Sequence, residues 1–252
     1  MTLPQALLLE THLKKLKLPN ILKQYRKLAT QAAEGNLTHE QFLHLLIEQE
    51  VQLREQNALK QRIRQAHFPS EKTLSNFDFT AIPKLNKPLI LKLAQGDYLD
   101  KARNIVLLGN SGTGKTHLAT ALGMEACRQG KRVAFYTAAD LVTLLLETNA
   151  QYQLSRLEAR LKKLDLLIVD ELGYLALDES GAKLLFSVFA GRYERKSLIV
   201  TTNLPFEQWN TIFKDTAMTA ALVDRITHHC HLIEMNGESY RFQQGLKNQE
   251  AS

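Results

Sequence analysis

Cysteine is scarce in this sequence, and long apolar runs are absent. Only two cysteines occur among the 252 residues, Cys127 and Cys230, which is too few for a disulfide framework and typical of a reducing cytoplasm. No apolar run approaches the roughly 20 residues that span a bilayer. The first residues, Met-Thr-Leu-Pro, also lack the basic start and the small-residue cleavage site of a secretory signal. We therefore expect a cytoplasmic protein without a membrane segment.

The charge of the chain is positive and unevenly distributed. The formal net charge is +6. Residues 1–70 carry ten Lys and Arg against six acidic residues, whereas residues 71–252 carry 22 against 20. A basic N-terminal third is compatible with nucleic acid as a partner, and equally with a solvated helix face. The composition, with 44% hydrophobic and 23% charged residues, is that of an ordinary globular protein.

A glycine-rich segment at residues 109–116 matches the P-loop pattern G-x-x-x-x-G-K-[ST] at every fixed position. The apolar residues 104–108 before it predict a strand buried on both faces, and residues 117–128 after it have the apolar spacing of a helix. Strand, loop and helix in this order are the setting that a phosphate-binding loop requires. The predicted nucleotide-binding residues are Gly109, Asn110, Ser111, Gly112, Thr113, Gly114, Lys115, Thr116 and His117.

Two side chains of this segment have separate predicted roles. We expect the Lys115 ammonium to reach the β- and γ-phosphates of a nucleotide, and the Thr116 hydroxyl to bind Mg²⁺. The backbone N–H groups of the loop would face phosphate oxygens at the positive end of the helix dipole. The predicted cofactors are therefore ATP and Mg²⁺.

Acidic and amide side chains follow two further predicted strands. Asp170 ends the first of these strands, with Glu171 directly after it, and Asn203 follows the second. We expect Asp170 to hold Mg²⁺ through a water. Glu171 is placed to polarise the water that attacks the γ-phosphate, and Asn203 to bind that water or the phosphate. A carboxylate beside the metal aspartate favours hydrolysis over transfer to a small molecule.

Strands and helices alternate from residue 104 onward, which predicts an α/β fold with a parallel sheet covered on both faces. The five predicted strands are residues 104–108, 132–137, 165–170, 197–202 and 230–235. The predicted helices are residues 117–128, 139–148, 153–164, 179–195 and 215–229, with a further helix opened by Pro205. A crossover needs only one helix, so the helix at 153–164 is interpreted as an insertion, and its basic residues are Arg156, Arg160, Lys162 and Lys163.

The first 70 residues predict a small all-helical domain, ahead of an ATPase domain at 71–252. Gly35 is expected to close the second helix in the left-handed conformation. Thr38 and Gln41 form a capping-box pattern at the start of a third helix, which extends to about Ala66. The second half of that helix is basic, and its candidate DNA contacts are Lys60, Arg62 and Arg64.

Two further groups of residues invite a functional interpretation. Phe77, Phe79 and Tyr98 lie in the connector at 70–103, either packed under the sheet or beside a nucleotide base, and we favour packing.

The run His228-His229-Cys230-His231 suggests a metal site. However, no second ligand cluster occurs, and neighbouring residues on a strand point to opposite faces. We therefore predict no metal at this run.

Together these segments resemble the AAA+ ATPases. The resemblance is closer to the bacterial initiators and helicase loaders, and within that group to the IstB-like transposition helpers of insertion sequences. It covers nearly the whole chain. The segments that carry it are GNSGTGKTHLA, LLIVDELGY, IVTTN, ALVDRITHHCHLIEMNGESYR and RQAHFPSEKTLSNFDF.

The resemblance implies roles for residues outside the P-loop. Asn203 would be the sensor-1 residue, and Arg225 the arginine finger supplied to the neighbouring subunit. Arg241 would be a second sensor. The helix pair at 139–164 is similar to the insertion through which this group of proteins contacts DNA.

The resemblance also implies a function. It implies an ATPase that assembles with ATP as a homo-oligomer on double-stranded DNA, recruits or stimulates a transposase, and leaves DNA cleavage to that partner. A replicative helicase loader, DnaC-like, would share every ATPase motif and act on a helicase. A small-molecule kinase is disfavoured by Glu171 and Asn203. A pseudo-ATPase scaffold is disfavoured because Lys115, Thr116 and both strand-end acids are present.

Overall fold

The computed structural model describes residues 3–174 and 176–237, together with Tyr240. The chain forms two compact units, one up to Gln61 and the other from Arg62 onward. The division falls inside a long helix rather than at residue 70. None of the described helices combines the length and the apolar character that crossing a membrane requires.

The first unit is built from three helices: α1 (Leu3–Lys15), α2 (Pro19–Glu34) and the first part of α3 (His39–Ala66). Leu13, Ile21, Leu28 and Leu46 form its core. The buried carboxylate of Glu50 accepts hydrogen bonds from the first backbone N–H groups of α2, at 3.0 and 3.1 Å. A helix start leaves such N–H groups without intrahelical partners, so this contact joins α3 to the start of α2.

The ends of these helices test two predictions. The capping box is confirmed, because Thr38 N–H donates to Gln41 Oε1 at 2.8 Å and Gln41 N–H donates to Thr38 Oγ1 at 3.2 Å. The left-handed closure at Gly35 is wrong, since Gly35 has φ −84° and Asn36 has φ 51°. The turn needs its left-handed residue one position later, where asparagine tolerates that conformation.

The second unit contains a five-stranded parallel sheet, as predicted. Its strands are β1 (Asn104–Leu108), β2 (Val133–Thr137), β3 (Leu166–Leu172), β4 (Ser197–Thr202) and β5 (Cys230–Glu234), in the spatial order β2-β3-β4-β1-β5. β1, β3 and β4 are buried along almost their whole length. This is the pattern of central parallel strands that helices cover on both faces.

Helices of the second unit pack on both sides of this sheet. They are α4 (Lys87–Ala94), α5 (Asp97–Asp100), α6 (Lys115–Arg128), α7 (Ala138–Ala150), α8 (Leu154–Lys162), α9 (Glu179–Ala190), α10 (Asn210–Phe213) and α11 (Thr216–His228). Three short 3₁₀ turns complete the described elements, at Leu74–Asn76, Phe79–Ala81 and Phe206–Gln208. The helix expected to begin at Pro205 is therefore a 3₁₀ turn followed by the four-residue α10.

Both helices between β2 and β3 contribute to the main core, and the helix before β4 is shorter than predicted. α7 is the crossover helix and buries Leu141 and Leu145 in the main core, and α8 adds Leu157 and Leu161 to the same core. α9 ends at Ala190 and not at Arg195 as predicted. The cause is Arg192, whose buried guanidinium donates to three backbone carbonyls and holds the chain in a turn before β4.

Candidate nucleotide-binding site

The strand order brings three predicted segments to one edge of the sheet. β4 lies between β1 and β3, so the carboxyl ends of these three strands are neighbours. The P-loop follows β1, Asp170 and Glu171 lie at the end of β3, and Asn203 follows β4. Ligands of open parallel sheets bind at such carboxyl ends.

The P-loop has the conformation that a phosphate-binding loop needs. Gly112 and Gly114 have φ of 81° and 85°, in the left-handed region that favours glycine. A side chain at Gly109 would place its Cβ 2.3 Å from the carbonyl oxygen of Met235. Lys115 Nζ donates to the carbonyl oxygens of Gly109 and Asn110, at 2.8 and 2.7 Å. The loop is thus closed around its lysine.

Thr116, Asp170 and Thr201 form a connected polar group beside this loop. Thr116 Oγ1 lies 3.1 and 3.0 Å from the two carboxylate oxygens of Asp170. From the other side, Thr201 Oγ1 donates to Asp170 Oδ1 at 2.5 Å. Asp170 is nearly fully buried. A hydroxyl and a carboxylate in contact at the start of α6 are suitable ligands for Mg²⁺ and its waters.

Glu171 adopts an unusual backbone conformation next to this group. Its φ is 60°, and the pairing of β3 with β4 shifts register between Val169 and Leu172. Such a bulge redirects a side chain that a regular strand would turn into the core. The Glu171 backbone N–H donates to Thr201 Oγ1 at 2.9 Å, and its side chain is exposed. The bulge therefore presents the carboxylate to the cleft instead of to the sheet.

Asn203 contributes a polar atom without a partner in the described structure. Its Oδ1 is buried and makes no hydrogen bond. Nearly all buried polar atoms in proteins are paired, with protein or with water, so an exception requires an explanation. An acceptor at the end of β4, next to the P-loop strand, is suited to a water or another donor in the nucleotide site.

A cleft of about 540 Å³ lies over the P-loop, whereas Asp170 and Asn203 are not among the described residues that line it. The P-loop forms one wall, together with Glu171, Thr201 and Tyr174, and Pro69 with the first part of the connector, up to Ile82, forms another. The wall residues from the connector, together with Tyr240, are Pro69, Ser70, Glu71, Lys72, Asn76, Phe77, Asp78, Ala81 and Ile82. Of this second wall, the sequence offered only the less favoured alternative that connector aromatics such as Phe77 lie beside a nucleotide base, because the connector has no nucleotide-binding motif.

The connector is attached to the P-loop helix by His117 and Phe77. His117 Nε2 lies 2.9 Å from the carbonyl oxygen of Thr73, and the His117 and Phe77 rings meet edge to face with centroids 5.2 Å apart. Of the three connector aromatics, Tyr98 is buried in the core as favoured, and burial raises its pKa well above the ordinary value. Phe77, in contrast, is packed and also lines the cleft.

Arg225 lies in the last turn of α11. The guanidinium lies over the Phe186 ring, 5.4 Å from its centroid. Arg225 is not among the described residues that line the cleft. Arg241, the predicted second sensor, lies outside the described residues.

The basic DNA-contact candidates differ in how freely their side chains are available. The four on and after α8 (Arg156, Arg160, Lys162 and Lys163) are exposed, as are Lys60 and Arg64. Arg62 is half-buried, and its Nε donates to the Cys127 carbonyl oxygen at 2.9 Å. Arg62 therefore attaches the end of α3 to α6 within the second unit. Burial raises the pKa of the Cys127 thiol to about 11, as expected for a packed residue.

Comparison with known proteins agrees with this arrangement. Residues 11–248 match the family model described as IstB-like ATP binding protein. A protein described as an insertion sequence ATP-binding protein from Sinorhizobium fredii is 40% identical over 90% of this chain and 76% of its own length. A second, described as the ATP-binding protein of insertion sequence IS21 from Pseudomonas aeruginosa, is 36% identical over 95% of this chain and 90% of its own.

Solved structures with the same fold include two of the replication initiator DnaA. AMPPCP-bound DnaA from Aquifex aeolicus superposes with a TM-score of 0.58 at 21% identity, over 74% of this chain and 57% of that protein. Domain III of Thermotoga maritima DnaA gives a TM-score of 0.53 at 18% identity, over 66% of both chains. The chain thus spans little more than half of the Aquifex protein. At these identities the similarity concerns the AAA+ fold alone.

Proposed function

The chain belongs to the family of IstB-like ATP-binding proteins, and we propose that it is an ATPase that assembles on double-stranded DNA and assists a transposase. The observation that carries the ATPase part is that Lys115, Thr116 and Glu171 line one cleft, with the Asp170 carboxylate in contact with Thr116. The insertion-sequence relatives support the transposition part.

The residues of the cleft fit ATP with Mg²⁺. Thr116 and Asp170 would hold the metal ion between them. When bound, Mg²⁺ neutralises charge on the phosphate oxygens and orients the γ-phosphate. Lys115 Nζ exchanges its contacts with the loop carbonyls for phosphate oxygens, and the left-handed glycines turn backbone N–H groups toward the same oxygens.

Glu171 and Asn203 then act on water rather than on the nucleotide. The Glu171 carboxylate orients the attacking water and accepts its proton, which its position on the bulge allows. The unpartnered Asn203 Oδ1 accepts a hydrogen bond from that water and fixes its direction of approach. Two acceptors that converge on one water favour hydrolysis over transfer to a second substrate.

Arg225 completes the site from a neighbouring subunit. The resemblance to the AAA+ ATPases supports a role in trans, in which the guanidinium stabilises charge on the transferring phosphoryl group of the neighbour. ATP bound at such a boundary favours the assembled state over the free subunit. ATP therefore drives assembly, and hydrolysis releases it.

Assembly multiplies the basic surfaces into a DNA-binding array. The exposed basic residues of α8 and of the end of α3 contact DNA phosphates, which gives affinity with little sequence specificity. Cleavage and strand transfer belong to the transposase, which the assembled ATPase recruits or stimulates. A replicative helicase loader is the alternative, and the insertion-sequence context of the relatives disfavours it.

The test is sedimentation of the purified chain with duplex DNA, with and without ATP, together with a measurement of ATP hydrolysis. We expect large complexes that need ATP and DNA together and that dissociate as ATP is consumed. A chain that hydrolyses ATP but stays monomeric on DNA would leave the ATPase in place and refute the assembly proposal. Addition of the transposase from the same insertion sequence then tests recruitment, with a replicative helicase as the matched control partner.

A further inference from the structure

Three metal-ligating side chains meet on the surface at the edge of the sheet opposite the nucleotide cleft. Glu194 lies in the turn before β4, and His228 and His229 lie immediately before β5. His228 Nδ1 is 3.7 Å and His229 Nε2 is 3.9 Å from the same carboxylate oxygen of Glu194. The three ligand atoms all lie within 4.8 Å of one another. This group is called the Glu-His-His cluster below.

Neither reason for predicting no metal applies to this cluster. Alternation on a strand does not concern His228 and His229, which the predicted bounds already placed in the helix at 215–229. In the structure His228 is the last residue of α11, and His229 follows it with φ −131° and ψ 71° before the strand begins at Cys230. The two imidazole rings consequently lie side by side, with centroids 4.1 Å apart. The missing third ligand comes from a turn far away in the sequence.

The turn that supplies Glu194 is held in place independently of any ion. Glu194 has φ 55°, a conformation that only a well-defined turn keeps for a residue other than glycine. The neighbouring Arg192 is buried and donates to the carbonyl oxygens of Leu161, Leu164 and Ser197, at 2.9 to 3.2 Å. The Glu194 carboxylate is therefore presented by a rigid support.

His228 is also oriented before any ion binds. The Tyr193 hydroxyl lies 2.8 Å from His228 Nδ1, so the ring already has a partner at the nitrogen that faces Glu194. When the hydroxyl donates this bond, the proton of the neutral ring is on Nε2, and the Nδ1 lone pair accepts the hydroxyl hydrogen. A metal ion would take that lone pair, and the Tyr193 hydroxyl, keeping its proton, would turn away to another acceptor.

We propose that Glu194, His228 and His229 form a binding site for a transition metal of the zinc class, separate from the Mg²⁺ site. Two imidazole nitrogens and one carboxylate oxygen are zinc ligands, whereas Mg²⁺ and Ca²⁺ take mainly oxygen. Ligand distances of about 2.0–2.1 Å in a tetrahedral site place ligand atoms about 3.3 Å apart. The two Glu–His separations of 3.7 and 3.9 Å would close by about half an ångström, and the two histidine nitrogens, which lie within 4.8 Å of each other, would approach as the side chains turn toward the ion. A fourth position stays open to water or to a group from outside the chain.

Two cations near the cluster have contacts elsewhere. Arg225, three residues before His228, is directed over the Phe186 ring of α9. Lys196, two residues after Glu194, forms an ion pair of 2.6 Å with Asp165. A bound ion would tie the last turn of α11, the helix that carries Arg225, to the turn before β4. The site thus fixes the end of that helix.

Titration of the metal-free full-length chain with Co²⁺ tests the proposal. We expect one equivalent to bind, with the visible absorption bands of a four-coordinate ion with nitrogen ligands. Zn²⁺ displaces Co²⁺, whereas a large excess of Mg²⁺ does not. His229→Gln and Glu194→Gln each lose the spectrum. The matched control His231→Gln, which removes a histidine on β5 outside the cluster, retains it.

Thermal unfolding supplies a second measurement. One equivalent of Zn²⁺ should raise the midpoint of wild type and of His231→Gln, and EDTA should reverse the increase. In Glu194→Gln the midpoint should not move, although that exposed substitution leaves the apo protein folded. Absence of stoichiometric binding overturns the proposal. So does binding that the Glu194 and His229 substitutions leave unchanged, because the ion would then be held elsewhere.

Discussion

The hydroxyl of Thr201 lies 2.5 Å from Asp170 Oδ1 and accepts the backbone N–H of Glu171 at 2.9 Å. A single buried side chain on β4 thereby holds both acids of the neighbouring strand. Through the first bond it orients the carboxylate that faces Thr116, and through the second it fixes the left-handed backbone that presents Glu171. Thr201 is a positioning residue of the proposed ATPase.

Replacing Thr201 with valine should therefore slow hydrolysis more than it weakens nucleotide binding. Valine keeps the shape but removes the donor to Asp170 and the acceptor for Glu171. A hydrogen bond to a charged group contributes about 1.5–3 kcal/mol, so turnover should fall by about 10- to 100-fold. Thr201→Ser should recover most of the rate. If Thr201→Val lowers thermal stability and leaves turnover per folded molecule unchanged, the residue has only a structural role.

Substitutions of Lys115 and Glu171 should impair different steps, ATP binding in the first case and ATP hydrolysis in the second. Lys115→Ala removes the cation that meets phosphate, so productive ATP binding is lost. Glu171→Gln removes the base that acts on water, so ATP binds but is not hydrolysed. Equilibrium nucleotide affinity and steady-state turnover of both variants separate the two effects. Wild-type turnover in Glu171→Gln would show that another group activates the water.

The parts of this site that were predictable from sequence are short segments whose residues are neighbours in the chain. The P-loop, the acids at the end of β3 and the amide after β4 each follow an apolar run, and parallel topology then brings them together. Thr201 could not be identified, because a hydroxyl within a buried strand has no pattern that reveals its partner on the next strand. Glu171 was identified, but the bulge that exposes it depends on the register of two strands.

Turns were predicted less well than strands, because the contacts that determine them join residues that are distant in the sequence. The end of α9 depends on Arg192, whose carbonyl partners at Leu161 and Leu164 are distant in sequence. The Glu-His-His cluster likewise joins residues that precede two different strands. The left-handed residue after α2 is Asn36, because the position of the helix end decides which residue must adopt that conformation. Gly35 was predicted because glycine in general adopts positive φ more readily than asparagine does.

Arg225→Ala should retain nucleotide affinity within a few-fold and lose turnover by about 10³-fold, the lower range for arginine fingers in GTPases. Mixing it with Lys115→Ala gives the sharper test. In a head-to-tail assembly of randomly mixed subunits, about one quarter of the interfaces pair an intact P-loop with an intact finger. Activity should return toward that fraction. If labelled subunits demonstrably mix and activity does not return, Arg225 acts within its own chain.

The basic residues of α8 should support DNA binding without affecting the nucleotide site. Arg156 and Arg160 are exposed on α8, whose buried leucines face the core, and neither is among the described residues that line the cleft. Replacing both with alanine should weaken the ATP-dependent complex with duplex DNA. The slope of log affinity against log salt should become shallower, by about 0.9 for each DNA phosphate that the variant no longer neutralises. Nucleotide affinity should not change.

Glu171→Gln provides the background for this measurement, because its ATP-bound assembly should persist on DNA. A matched control removes two exposed cations outside α8, Lys101 and Lys183, and so changes the net charge by the same amount. A substitution of Arg62 would not test DNA contact alone. It would also remove the hydrogen bond to the Cys127 carbonyl and disturb the packing of the end of α3 on α6. If the α8 and control variants shift the salt dependence equally, DNA responds only to overall charge and α8 is not the contact surface. A shift confined to the α8 variant identifies α8 as the surface, because both variants lose two positive charges and one side-chain contact, that of Arg160 with Tyr136 or that of Lys183 with Glu179.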